Sequence, residues 1–160
     1  MRFFLILLFI INFAFARQDL YFLPNDSDKS INAISKLITN SKNSIDIAMY
    51  NFTYKKLAKL LKQSVKEGKE VTVIMDKNKV SEEKDTLYNY LKDSGIKVIL
   101  TNKKLHIKMA IFDKETVAFG SINWKKKSFN KDYEILYISD KKKIVKDLND
   151  VFKKLLLENK

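Results

Sequence analysis

The sequence predicts a single α/β domain, and three observations carry that prediction. Strand-like and helix-like apolar patterns alternate at short intervals from Leu20 to Leu157. The length, 160 residues, is that of one domain at roughly 150 residues per domain. Pro24 is the only proline, and neither an internal repeat nor a low-complexity linker divides the chain.

Each element has its own signal. Leu20 to Leu23 is a short apolar strand that Pro24 ends. Asn25 to Ser30 supplies turn and N-cap residues, after which Ile31, Ile34, Leu37 and Ile38 recur at helical spacing. Ser44 to Tyr50 reads as a strand with Ile45, Ile47 and Met49 on one face. Thr53 is placed to cap a helix with the apolar stripe Leu57, Leu60, Leu61 and Val65, and Gly68 stops it. Val71 to Met75 is a buried-type strand closed by Asp76. Ser81 is a weaker start for a helix with Leu87, Tyr88 and Leu91 on one face, and Gly95 ends it. Ile96 to Leu100 is the next strand. Ile107 to Phe112 and Thr116 to Phe119 are two strands joined by a turn at Asp113-Lys114-Glu115. Tyr133 to Ile138 is the last strand, and Ile144 to Leu157 a final amphipathic helix.

Residues 1–16 stand apart from this pattern. Met1-Arg2 is a short positive start, Phe3 to Phe13 is apolar except for Asn12, and Ala14-Phe15-Ala16 has the small-x-small form of a signal-peptidase site. The apolar run is shorter than the ~20 residues of a comfortable membrane span. A signal peptide over 1–16 and a catalytic domain over 17–160 are therefore expected, with a retained N-terminal anchor as the alternative. Either way the domain is expected outside the cytoplasm: periplasmic, secreted or membrane-attached.

Composition narrows the chemistry. With no cysteine, a disulfide scaffold and a thiolate metal site are excluded. Against 19 acidic residues stand 31 basic ones, a net charge of +12 that attracts nucleic acid or an anionic membrane surface. Almost all the basic residues are lysine, and Lys/Asn/Ile-rich usage also follows from an A/T-rich genome, so charge alone does not choose the partner. One histidine leaves little to hold zinc, and Asp46 and Asp76 lie at no spacing that suggests a magnesium motif. No metal and no cofactor are expected.

The informative stretch is Leu105 to Trp124, LHIKMAIFDKETVAFGSINW. Strand alternation puts His106, Lys108 and Ala110 on one face and Ile107, Met109 and Ile111 on the other. Beyond the second strand, Gly120-Ser121-Ile122-Asn123 brings a small turn with a hydroxyl and a carboxamide. Imidazole, ammonium, hydroxyl and amide suit a phosphodiester: the first can attack phosphorus or take a proton, and the others can hold the non-bridging oxygens. Each residue also has a plainer reading. A lone histidine is commonly a surface residue, a lysine a solvated charge, and Ser121 and Asn123 turn formers. Trp124 and Phe129 could stack a base or fill the core. Lys103-Lys104 and Lys125-Lys126-Lys127 could be a solvated edge or a backbone track.

The arrangement His106-x-Lys108-x4-Asp113, followed by Gly120-Ser121-x-Asn123 and then Glu134, resembles the HKD signature of the phospholipase D superfamily. Ser44 to Thr53, the strand Val71 to Asp76 and the Ser94-Gly95-Ile96 turn are similar to segments of its short, single-motif bacterial endonuclease branch. The resemblance runs from about Leu20 to the final helix. It implies a phospholipase D-like fold, a mixed central sheet flanked by helices on both faces. It also implies a metal-independent reaction in which one histidine attacks phosphorus, forming a phosphohistidine, while a second protonates the leaving oxygen. Carried onto this chain, His106 is the nucleophile or the general acid, and Lys108, Asn123 and Ser121 contact phosphate. Glu134 is expected to hydrogen-bond the second nitrogen of His106. Asp113 belongs to the motif, yet its place at a strand end suits a turn-holding role. Because the reaction needs two imidazoles and the chain has one, a homodimer with a composite active site is expected. A non-specific endonuclease acting on DNA, and on RNA as a further substrate, is the leading expectation. The alternatives are a phospholipase D-type hydrolase of membrane lipids and a binding module without activity.

Overall fold

The computed structural model describes residues 16–159. The expected signal peptide therefore lies outside the described residues except for Ala16. In chain order the elements are β1 (Gln18–Leu23), α1 (Ser27–Asn40), β2 (Ser44–Met49), α2 (Lys55–Lys66), β3 (Glu70–Asp76), α3 (Lys77–Glu82), α4 (Tyr88–Asp93), β4 (Lys97–Thr101), β5 (Lys108–Phe112), β6 (Thr116–Gly120), α5 (Lys126–Asn130), β7 (Glu134–Ser139) and α6 (Lys142–Glu158).

The strands form one seven-stranded mixed sheet in the order β1-β7-β6-β5-β2-β3-β4. β2, β3 and β4 run parallel, as expected where α2 and the α3–α4 segment supply the crossovers, and the other pairs are antiparallel. Helices cover both faces. Ile31, Ile34 and Ile38 of α1, Leu57 and Leu61 of α2 and Phe129 of α5 pack with Ile45, Ile47, Val73, Ala110 and Leu136 on one side. Val145 and Phe152 of α6 pack with Ala48, Ile74, Met109, Ile111 and Val117 on the other. This is the expected α/β fold with its sheet between two helical layers.

Three local expectations need correction. The helix expected from Ser81 to Gly95 is two short helices, α3 and α4, because the chain leaves helical geometry at Glu83 and Leu87 donates its backbone N–H to Phe52 instead. The start signal lies earlier than Ser81: Asp76 caps α3 by accepting from the Lys79 N–H at 2.7 Å. Thr53 makes no cap for α2; it and Tyr54 both donate to the Trp124 carbonyl, and Tyr54 takes the cap position. α5, unforeseen, is a single turn following Lys125 whose anchor is the buried Phe129.

Candidate active site

β5 positions the site. His106 lies two residues before it, with its side chain exposed. Lys108 begins the strand and is buried, facing Met49 of β2. Its ammonium donates to the His106 carbonyl at 2.7 Å and lies 5.2 Å from the centre of the Tyr50 ring. Tyr50 also packs edge-on against the imidazole at 4.8 Å and ties down the approach by donating its N–H to the Ile107 carbonyl. One tyrosine thus packs against both the imidazole and the ammonium. Burial pushes the Lys108 ammonium below the usual lysine range and Lys104 adds to this, while Glu134 acts in the opposite direction.

Gly120 brings the second half of the site in. A Cβ there would lie 2.1 Å from the Ile135 carbonyl oxygen, so only glycine lets β6 run this close to β7. Ser121 follows at the surface. Its hydroxyl donates to Glu134 and accepts from the Ile135 N–H at 3.1 Å. Asn123 is held by the Asn51 N–H, which donates to its Oδ1 at 3.2 Å and leaves the amide N–H groups available.

The expected residues thus fall into two groups. His106, Lys108, Ser121, Asn123 and Glu134 all emerge at one end of the sheet, around the start of β5 and the end of β6. The expected Glu134–His106 hydrogen bond is absent among the described residues: Glu134 takes the Ser121 hydroxyl instead. Asp113 is not brought to the site at all. It lies beyond the other end of β5, which alone spans roughly 16 Å. There its carboxylate accepts from the backbone N–H groups of Lys42, Asn43 and Ser44 at 2.8, 2.7 and 3.0 Å.

Two supporting carboxylates were not legible in the motif. Asp76 is buried, and while one oxygen caps α3 the other accepts from the Leu105 N–H at 2.7 Å, immediately before His106. Glu83 accepts from the buried Asn51 amide and pairs with Lys79 at 2.9 Å and Lys125 at 3.5 Å. The Lys79 hydrogen bond, with help from Asn51 and Lys125, pulls the Glu83 carboxyl down to about 2. Asp76 acts on the backbone just before His106 and Glu83 on the side chain of Asn51, and the only sequence signal for either was the Asp76 strand-end position.

Trp124 and Phe129 are buried and fill the core, which removes the stacking role. Lys125 and Lys127 are paired with Glu83 and Asp132, whereas Lys103 and Lys104 line an open cleft of about 490 Å³ with His106 on its wall. Among the described residues no group of three or more His, Cys, Asp or Glu side chains is placed to hold a metal ion, and no helix is long and apolar enough to cross a membrane.

The profile described as cardiolipin synthase, PLD-like domain matches residues 34–156. The chain belongs to the phospholipase D-like family. Its fold is similar to that of NucT from Helicobacter pylori, with a TM-score of 0.85 and 26% identity over 90% of this chain and 98% of that one. It is also similar to Nuc from Salmonella typhimurium, a phospholipase D family member, with a TM-score of 0.80 and 22% identity over 91% and 97%. TrmBL2, an archaeal chromatin protein with a novel mode of DNA binding, gives a TM-score of 0.65 at 17% identity, over 90% of this chain and 53% of that one. No curated protein sequence matches. A chromatin protein among the likenesses shows that this fold alone does not choose between cleaving and binding, so function has to be argued from the site.

Proposed function

We propose that this chain is a metal-independent phosphodiesterase that cleaves nucleic acid, DNA foremost, through a phosphohistidine on His106. The observation that carries the reading is an exposed imidazole on a braced loop, beside a buried ammonium and a carboxamide whose N–H groups can donate to phosphate oxygens. The full-length likeness to NucT supports the nuclease over the lipid hydrolase.

In the proposed reaction the free imidazole nitrogen of His106 attacks phosphorus. The ester bond opposite breaks, and the departing oxygen takes a proton from a second imidazole. That imidazole then takes a proton from water, whose oxygen displaces His106 and restores it. Lys108 keeps donors free beyond its bond to the His106 carbonyl, and with the Asn123 amide it stabilises the charge on the non-bridging oxygens, while the single Ser121 hydroxyl proton is donated to Glu134. Glu134 offsets the burial of Lys108 and helps hold it protonated.

The second imidazole belongs to a second copy of the chain. Supporting this, Leu20, Phe22, Tyr133 and Ile135 form an exposed apolar patch where β1 meets β7, and Tyr133 and Ile135 flank Glu134. An uncharged face beside the site suits association of two otherwise strongly basic chains.

Purified protein is incubated with plasmid and with labelled phospholipid, both in excess EDTA. Plasmid cleavage without lipid turnover is expected; lipid turnover alone would transfer the reading to a phospholipase, and loss of cleavage in EDTA would refute the metal-free route. Sedimentation should show a dimer that Ile135→Lys dissociates with loss of activity. Full activity in a monomer would refute the composite site.

A further inference from the structure

We infer that the outward face of α2 is a docking surface for the phosphate backbone of a nucleic acid, extending the proposed active site along the molecule. This rests on the reading above for its substrate, but the surface has its own evidence.

α2 (KKLAKLLKQSVK) carries five lysines and no acidic residue in twelve positions. At 100° per residue Lys55, Lys59, Lys62 and Lys66 fall within about 60° of one another, opposite the buried Leu57, Leu61 and Ser64. Among the described residues none of the five lysines pairs with a carboxylate. A lysine-rich composition does not by itself produce this. α6 is also lysine-rich, yet there Lys143, Lys146 and Lys154 each pair with an acid four residues on: Asp147, Asp150 and Glu158.

The stripe also breaks a local rule. Lys55 and Lys56 occupy the first turn of α2, where the helix dipole disfavours positive charge, and no side chain caps that end. A sequence that sacrifices helix stability in this way is consistent with selection for something outside the helix. Position supplies the rest. α2 begins four residues after Asn51, whose N–H holds Asn123, so the stripe starts at the site end of the sheet and runs back along it. From Lys55 to Lys66 it spans roughly 16 Å, a length over which duplex DNA presents about ten phosphates. A membrane surface fits less well, because the face offers only Lys and Gln63 and no apolar side chain to insert, whereas the exposed apolar residues lie on other elements.

The test uses the full chain carrying His106→Ala, so that substrate is bound and not consumed. Binding to a labelled duplex of about 30 base pairs is measured between about 50 and 200 mM salt, with and without Lys55→Gln, Lys59→Gln and Lys66→Gln together. Lys62 is kept because it packs over the Tyr90 ring. The slope of log affinity against log salt should become shallower by about 2 to 3. An unchanged slope overturns the inference. With His106 intact, the same triple variant should hydrolyse bis(p-nitrophenyl) phosphate, which reaches only the site, at the parent rate. A loss there would place the lysines in the fold or the chemistry and overturn it too. Reduced binding to phosphatidylserine vesicles with unchanged duplex binding would assign the face to membranes, again overturning it. If the parent cleaves neither duplex nor model diester while the slope still falls, the proposed reaction fails and the docking surface stands.

Discussion

At the start of β5 His106 is exposed, and its imidazole makes no hydrogen bond among the described residues; beside it Lys108 is buried, with its ammonium pushed toward neutrality. At the other end Asp113 is satisfied by three backbone donors and serves only the chain itself. The motif that joins them is therefore two devices on one strand. The first leaves polar groups with capacity to spare, as a site must, and the second spends all of its capacity on holding the turn before β2 against the turn after β5. Residues at the two ends should consequently fail in different ways when changed.

The largest expected effect is at the start of the strand. His106→Ala should lower diester cleavage on the order of a thousandfold or more while leaving the unfolding midpoint unchanged, since the side chain is exposed. Stopped assays beside thermal unfolding check this. Undiminished cleavage would move the chemistry away from β5 altogether.

Asp76 tests whether the approach to His106 must be braced. Asp76→Asn keeps an acceptor on one side only, so either the α3 cap or the Leu105 N–H loses its partner. A small displacement of the imidazole should lower kcat roughly 10- to 100-fold with KM within about twofold. A fall in stability with kcat unchanged would make Asp76 merely structural.

Asp113 tests the other end. Asp113→Ala should destabilise by about 2 kcal/mol by leaving three backbone donors unpaired, with kcat unaltered in the folded fraction. Burial alone would raise the Asp113 carboxyl, but the Ser44, Asn43 and Lys42 N–H groups outweigh it and hold it below the ordinary value of 3.8. A carboxyl lowered by folding stabilises fully above its unfolded value and loses that contribution as pH falls through the folded one. The stability gap between wild type and Asp113→Asn should therefore be constant from neutral pH to about 5 and shrink below about 4. A gap that grows on acidification would contradict the geometry.

The same contrast explains what was legible in the sequence. Most of the element order followed from local patterns, because apolar periodicity is short-range; the mixed sheet and the gathering of His106, Lys108, Ser121, Asn123 and Glu134 were expected from the resemblance that their spacing carries. The supports were not legible. Asp76 reaches Leu105 across 29 positions and Glu83 reaches Asn51 across 32, each through a single bond that leaves no periodic trace. The break between α3 and α4 was hidden because the apolar spacing of Leu87 and Leu91 fits a continuous helix equally well. Glu134 misled for a different reason: its neighbours in space, Ser121 and Lys108, compete for the carboxylate that the motif assigns to His106.

The smallest effect sharpens the far end further. Asp113 and Lys114 have φ of 53° and 59°, and Glu115 donates back to the Phe112 carbonyl at 3.0 Å, a turn with both central residues in the left-handed region. Asp tolerates that region and its carboxylate is needed; Lys gains nothing from it, and its side chain is exposed. Lys114→Gly should relieve the strain and stabilise the fold by roughly 0.5 kcal/mol, because the gain in the native turn exceeds the added freedom of the unfolded chain. Cleavage should be unchanged, since the turn lies a full strand away from His106. If activity moved with stability here, β5 would be transmitting strain between its ends, and the two devices would have to be treated as one.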